Sequence, residues 1–248
     1  MRPADNKLLA RRHARGHIDA MTDPSLAAPA TRARLLDALL TMAEAAGDVV
    51  WHHFTNGCAV MHKADESPVT VADREAEAVI LEGLASVAPD VPVVAEEEAA
   101  AGRVPDVDGA FFLVDPLDGT KEFVARGDDF TVNIALIENA RPVCGVVLAP
   151  AKERAFVGEW GKGALELQAP AHGQLDTAGA RPIHARNAPK HGLTAIASRT
   201  HRDTKTEEYL AAYAVASLLA AGSSLKFCLV ATGEADLYPR HGTKSRCV

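Results

Sequence analysis

The densest group of residues able to do chemistry is Leu113-Val114-Asp115-Pro116-Leu117-Asp118-Gly119-Thr120. An apolar run delivers Asp115 at its end, and Pro116, lacking an N–H, stops further regular strand pairing. Asp118 and the Gly119-Thr120 turn then open a helix. Two carboxylates beside free backbone amides and the positive end of a helix suit a cation-bound phosphate. Oxygen ligands without His or Cys favour Mg²⁺ or Mn²⁺ over zinc. A plainer reading has Asp118 capping the helix and Asp115 in an Asx turn, and for an isolated Asp-x-x-Asp-Gly the two readings are balanced. Glu96 follows a second strand and Asp73 stands at the start of a third element. Alone, Glu96-Glu97-Glu98 reads as a solvated charge run and Asp73 as half of a capping box. Four acids so placed between residues 73 and 118 would repel one another strongly in one pocket without cations.

The elements that must position these residues are legible from periodicity. Leu35, Leu36, Leu39, Leu40 and Met42 predict an amphipathic helix over residues 31–50. Thr70-Val71-Ala72-Asp73 is a capping-box pattern, and Val79, Ile80, Leu81 and Leu84 continue that helix until residues 89–92 break it. Residues 91–95 read as a short strand running into Glu96, and 110–114 as a strand ending at Asp115. Two β-rich runs, 130–137 and 142–148, are joined by Glu138-Asn139-Ala140-Arg141, the signature of a hairpin. Residues 156–160 add a strand. Residues 165–182, rich in Ala, Gly and Pro, read as a loop or domain junction. Beyond it the expectation is a strand over 193–197, a helix over 204–221 and a second helix over 223–231. Strands alternating with helices indicate a layered α/β or α+β protein.

With 248 residues the chain can bury a substantial core as one large domain or two joined ones. The expected division is an N-terminal extension over 1–30, disordered or spurious with Met21 as an alternative start, an α+β metal-binding domain over 31–160, and a C-terminal α/β domain over 161–248. A net charge of −7 argues against a nucleic-acid binder. A protein this acidic that binds a phosphorylated small molecule needs local positive charge, which carboxylate-held metal ions would supply. Cys58, Cys144, Cys228 and Cys247 form no CxxC pair, favouring a reduced compartment over a disulfide framework. No stretch reaches the roughly 18–20 apolar residues of a membrane span, and residues 1–30 lack the apolar core of a secretory signal. The expected location is cytoplasmic, with peripheral attachment to the inner membrane face left open.

Ser67-Pro68-Val69-Thr70-Val71-Ala72-Asp73, Ala95-Glu96-Glu97, Asp115-Pro116-Leu117-Asp118-Gly119-Thr120-Lys121-Glu122-Phe123 and Gly222-Ser223-Ser224-Leu225-Lys226-Phe227-Cys228 occur in this order. Together they resemble the Mg²⁺-dependent, lithium-sensitive phosphatases of the inositol monophosphatase superfamily, most closely the CysQ-type 3′(2′),5′-bisphosphate nucleotidases. The resemblance spans residues 35–240 and implies the αβαβα sandwich of sugar phosphatases. It implies that Glu96 and Asp115 hold one Mg²⁺ with the Leu117 carbonyl, and that Asp115 and Asp118 share a second. Thr120, with Glu96, would orient the attacking water, and Asp73 would support Thr120 or a third, weakly held ion. The Gly119 and Thr120 amides would bind the scissile phosphate. One ion would generate hydroxide while both neutralise charge on the attacking and leaving oxygens. Ser223, Lys226 and Arg240, joined by His201, match positions that contact the rest of an adenosine bisphosphate. Taken singly, Ser223 reads as an N-cap, Lys226 as a solvated charge, and His201 and Arg240 as ordinary surface residues.

Family members continue after Leu237-Tyr238-Pro239-Arg240 into a Gly-Pro turn and Trp-Asp-x-Ala-Ala-Gly, whose Asp completes the second metal site. Here His241-Gly242-Thr243-Lys244-Ser245-Arg246-Cys247-Val248 follows, while Trp51 and Trp160 lie far upstream. The expectation is an incomplete C-terminal region with a weakened second site and uncovered sheet surface. Three functions compete: hydrolysis of adenosine 3′,5′-bisphosphate to AMP and phosphate, hydrolysis of an inositol or sugar phosphate, and metal or phosphate binding without turnover.

Overall fold

The structure, a computed structural model, describes residues 29–62, 68–170, 174–198 and 204–240. The expectations for residues 1–28 with Met21, for His201 and for the 241–248 tail lie outside the described residues.

Helix α1 (Pro29–Asn56) buries Leu35, Leu36, Leu39, Leu40, Ala43, Ala46 and Val50 along one stripe. Helix α2 (Val71–Val87) does the same with Ala72, Ala76, Ile80, Leu84 and Val87, the spacing of one helix face. The two helices touch closely because Gly83 has no side chain: a Cβ there would stand 2.7 Å from Met42 Cγ. A short antiparallel hairpin, β1 (Val60–His62) and β2 (Pro68–Thr70), leads into α2.

Both helices cover one face of a seven-stranded sheet. Its strands are β3 (Val93–Ala95), β4 (Ala110–Asp118), β5 (Thr131–Glu138), β6 (Arg141–Ala149), β7 (Arg154–Glu159), β8 (Gly163–Gln168) and β9 (Asp176–Ile183), adjacent in that order. Only β3 and β4 run parallel; the others are antiparallel. Helix α3 (Glu96–Ala100) follows β3, and α4 (Thr120–Val124) follows β4. Alternation along β6 and β7 separates the faces. Val146, Leu148, Ala155 and Val157 join the α1–α2 core, whereas Val147, Ala149 and Phe156 pack with Leu225 and Cys228 of α6 (Leu225–Ala231). Beyond α6, β10 (Leu193–Ser198) and β11 (Val215–Ala221) form a parallel pair, with α5 (Thr204–Ala211) between them in sequence. The layers are thus α, β, α, β, four of the five layers of the expected αβαβα sandwich.

Two expectations are corrected. Residues 165–182, read as a loop, contain most of β8 and all but the last residue of β9. Leu165 and Leu167 alternate with Glu166, and the buried Glu166 carboxylate is held by Arg154 at 2.6 Å and Arg181 at 2.7 Å. Pro182 is tolerated because β9 is the sheet's edge strand, where a missing N–H breaks no ladder. The sheet therefore runs past residue 160, where a domain boundary was expected. Second, the helix expected over 204–221 stops at Ala211, and residues 215–221 form β11. This short apolar run has no helical polar face, so pairing with β10 overrides its Ala and Leu propensity. Gly192 permits that pairing at its start, since a Cβ there would lie 2.8 Å from the Ala214 carbonyl oxygen.

Among the described residues no helix is long and apolar enough to cross a membrane. Cys58, Cys144 and Cys228 are free thiols, and burial pushes those of Cys144 and Cys228 up to about 12.

Candidate active site

The expected carboxylates meet where β3 and β4 end. The parallel register sets Ala95 beside Val114, so the next residues, Glu96 and Asp115, fall side by side. Asp115 and Asp118 are three positions apart, which on a regular strand would point them to opposite faces. They do not diverge, because β4 bulges between them. Asp115 pairs with Asn133 and Asp118 with Thr131, so three steps on β4 match two on β5. Pro116, without an N–H, sits inside that bulge and does not disturb the ladder. The bulge gives both carboxylates a common face.

Gly119 then turns the chain with φ +95°, and α4 begins at Thr120. The Thr120 hydroxyl lies 3.1 Å from Asp73 Oδ1 and 3.1 Å from the Leu117 carbonyl oxygen, donating its single proton to one or the other. Asp73 is fully buried in the α2 capping box, its Oδ2 accepting the Thr70 N–H at 2.7 Å and the Thr70 hydroxyl at 2.6 Å. The Leu117 N–H donates to Asp115 Oδ1 at 3.2 Å.

Burial and crowding of like charge dominate the electrostatics. Asp115 is pushed well above the usual carboxylate range by burial, then by Asp118 and Glu96, and it shares a hydrogen bond with Glu96. Asp118 is also raised by burial, opposed by the Lys226 ammonium and by the Ser224 N–H that donates to it. Asp73 is raised by burial against the Thr70 and Thr120 hydrogen bonds.

The 222–224 loop joins this cluster directly. Besides the Ser224 N–H on Asp118, the Ser224 hydroxyl donates to Asn133 Oδ1 at 2.8 Å and lies 2.9 Å from Thr131 Oγ1. Lys226, whose plainer reading was a solvated charge, is corrected: it is 4% exposed, donates to the Ser223 carbonyl and lies over the Tyr238 ring. Ser223 adopts φ +49°, and its hydroxyl accepts the Leu225 N–H at 3.3 Å. Arg240 is exposed, with Nη1 3.5 Å from the Tyr238 hydroxyl. The structure thus brings together Asp73, Glu96, Asp115, Leu117, Asp118, Thr120 and Lys226, with Gly119 close to Ser223, and keeps Arg240 at the surface.

Sequence reasoning missed Glu77, Asn133 and Ser224. Glu77 accepts the Glu97 N–H at 2.8 Å and the Glu98 N–H at 3.1 Å, fixing the turn that carries Glu96, and burial pushes its carboxyl up to about 7. Its signal was faint, an acid one turn after Asp73 among the apolar residues of the buried α2 face. Asn133 could have been found as the polar residue between Val132 and Ile134. An open depression of about 430 Å³, lined by Leu81, Val93, Val104 and the Glu98–Arg103 ion pair, contains none of these residues, so charge and hydrogen bonding are what mark the site.

Residues 32–247 match the model of the inositol monophosphatase family. The chain is 41% identical over 210 residues to the 3′(2′),5′-bisphosphate nucleotidase CysQ of Escherichia coli K12, covering 84% of this chain and 81% of that one. It is 33% identical over 211 residues to the CysQ of Buchnera aphidicola, covering 84% and 76%. Among solved structures it resembles CysQ from Bacteroides thetaiotaomicron, with a TM-score of 0.68 and 33% identity over 84% of this chain and 80% of that one.

Proposed function

The chain belongs to the inositol monophosphatase family, and within it we propose a 3′(2′),5′-bisphosphate nucleotidase that converts adenosine 3′,5′-bisphosphate to AMP and phosphate with Mg²⁺. The observation that carries the reading is the Ser224 N–H on Asp118, which fastens the loop of the nucleotidase-like motif onto the acidic cluster. Relatives bearing the nucleotidase name support the same choice.

A divalent cation fits the residues present. Glu96, Asp115 and Asp118 offer only oxygen donors, and the Glu96–Asp115 hydrogen bond puts two acids where a proton or a cation must lie between them. Among the described residues no three acid, His or Cys side chains already stand in a closed ligand arrangement. Glu96, Asp115, Asp118 and the Leu117 carbonyl would hold the metal, with Asp115 shared between two ions. When bound, Mg²⁺ supplies charge neutralisation and a more acidic water.

The protein's own groups do the rest. Thr120 Oγ accepts a proton from the attacking water while passing its own toward Asp73 Oδ1. Burial makes Asp73 a better acceptor than a solvated carboxylate. Glu96 orients the same water, and the Gly119 and Thr120 amides take the scissile phosphate. Lys226 holds the Ser223 carbonyl and offsets Asp118. By the motif resemblance, Ser223 and the surface-lying Arg240 would take the second phosphate. The buried position of Lys226 favours one rival, an inositol or sugar phosphatase, because that ammonium is committed to the loop rather than offered to a second anion.

Phosphate release from adenosine 3′,5′-bisphosphate and from inositol 1-phosphate, each with and without Mg²⁺, separates the readings. Faster Mg²⁺-dependent turnover of the bisphosphate, lost in Asp115→Asn, is expected. Preference for inositol 1-phosphate would establish the rival, and no turnover from a chain folded by circular dichroism would leave a binding protein.

A further inference from the structure

The nucleotidase-like loop is held from outside the acidic cluster by Asp129, a residue that neither the motif nor the reaction uses. Its side chain is 4% exposed, and Oδ2 accepts the Gly222 N–H at 3.0 Å. Oδ1 lies 3.2 Å from Lys152 Nζ, which also reaches Asp128 Oδ2 at 2.6 Å. The Asp129 backbone wedges between two glycines. A Cβ at Gly119 would stand 2.8 Å from the Asp129 carbonyl oxygen and 3.3 Å from Ser223 Cβ. A Cβ at Gly222 would stand 2.9 Å from the same oxygen and 3.0 Å from Asp129 Cβ. One residue therefore touches both the phosphate turn and the loop. Ser223, next to the clamped amide, is held at φ +49°, a conformation a non-glycine residue keeps only where its surroundings enforce it.

We propose that Asp129 is a positioning residue: by holding the Gly222 amide it sets loop 222–224 against Gly119 and so fixes the selectivity for a bisphosphate over a monophosphate. The substrate half of this inference rests on the nucleotidase reading; the clamp does not. The Asp129 carboxylate, in the loop between α4 and β5, accepts the amide of a loop residue 93 positions away. Lys152 balances its charge, so the amide can be held without an uncompensated buried anion.

The test compares wild type, Asp129→Ala and Asp129→Asn on adenosine 3′,5′-bisphosphate and on 3′-AMP, which lacks the second phosphate. Asp129→Ala is expected to lower the bisphosphate-to-monophosphate ratio of kcat/KM about tenfold, chiefly through KM for the bisphosphate. Asp129→Asn, whose amide oxygen still accepts the Gly222 N–H, is expected to stay within about threefold of wild type. Equal losses on both substrates, or an unchanged ratio in Asp129→Ala, would overturn the inference. Hydrogen exchange of the wild-type Gly222 amide gives a reading that needs neither turnover nor a stable variant. Protection comparable with Val132 in β5 supports the clamp, and free exchange refutes it. A wild type with no bisphosphate preference removes the nucleotidase reading and the selectivity claim, while the exchange result still decides the clamp.

Discussion

Gly119→Ala offers a sharp test of how the site is built, because its cost comes from two separable sources. Gly119 has φ +95°, and the atom nearest its missing Cβ is a backbone oxygen, that of Asp129, at 2.8 Å. Phe130 Cα and Ser223 Cβ, both at 3.3 Å, close the other directions. Left-handed backbone costs an alanine about 1–2 kcal/mol. Overpacking against rigid neighbours adds about 1–3 kcal/mol, since none of these atoms is the far end of a flexible side chain. For a chain of this size each kcal/mol lowers Tm by about 2–4 °C, so a fall of about 4–20 °C is expected. Gly102→Ala is the control: φ is +80°, but nothing lies within 4 Å of its added Cβ, so it carries only the backbone share. Differential scanning calorimetry of the two variants isolates the packing share. Phosphate release should fall more than about tenfold in Gly119→Ala, which displaces the turn's amides, and be retained in Gly102→Ala. Equal Tm losses in the two variants would refute the claim that Gly119 is wedged between Asp129 and the 222–224 loop.

Three further outcomes are expected. Glu77, raised from 4.5 to about 7, takes up a proton on folding between those pH values, so its contribution is present below about pH 4.5 and lost as pH rises through 7. Glu77→Gln gives up one of the two N–H acceptors at any pH, so its stability in urea should be read relative to wild type. That difference should shift in its favour by about 1–2 kcal/mol between pH 5 and pH 8, the full shift being discounted for solvent screening, and a difference that does not move with pH would refute the burial argument. Thr120→Ala removes the hydroxyl that joins water to Asp73 and should lower kcat about 100-fold with little change in KM, whereas Thr120→Ser should restore most of it; equal losses would show that the hydroxyl is not the working group. Mg²⁺ at about 100 times its Kd should stabilise the chain by about 2.7 kcal/mol, raising Tm, and the rise should vanish in Asp115→Asn; a rise that persists would place the ion elsewhere.

Most elements around the site were legible because their signals are local. The capping box at Thr70 and Asp73, the strand into Glu96, the apolar run into Asp115 and the turn at Gly119 each depend on residues a few positions apart. What failed depends on partners distant in sequence. Residues 176–183 are a strand because β8 and the Arg181–Glu166 pair hold them there, and Pro182 is tolerated because β9 is the edge strand among the described residues. Residues 215–221 take strand form from β10. The same limit hid Glu77, Asn133 and Ser224, whose roles are hydrogen bonds to residues at least 20 positions away. Lys226 read as a surface charge because nothing near it in sequence announces the Asp118 carboxylate it faces.

The bulge in β4 explains why this acidic spacing can work at all. In a regular strand the pair at 115 and 118 would straddle the sheet, one carboxylate in the α1–α2 core and the other on the far side. The bulge returns both to the face where Asn133 and Thr131 stand, and those two residues bind Ser224. The same irregularity therefore gathers the acids and registers the loop. It also accumulates negative charge in a chain whose net charge is already −7. The Lys226 ammonium bears on Asp118, while Asp115 and Asp118 lie beside Glu96 with burial opposing the ionisation of the two aspartates. One ammonium is too little to balance three carboxylates and also attract a substrate carrying two phosphates. A site of this composition becomes attractive to an anion once cations from solution reverse its sign, so metal loading and substrate binding should be ordered, metal first.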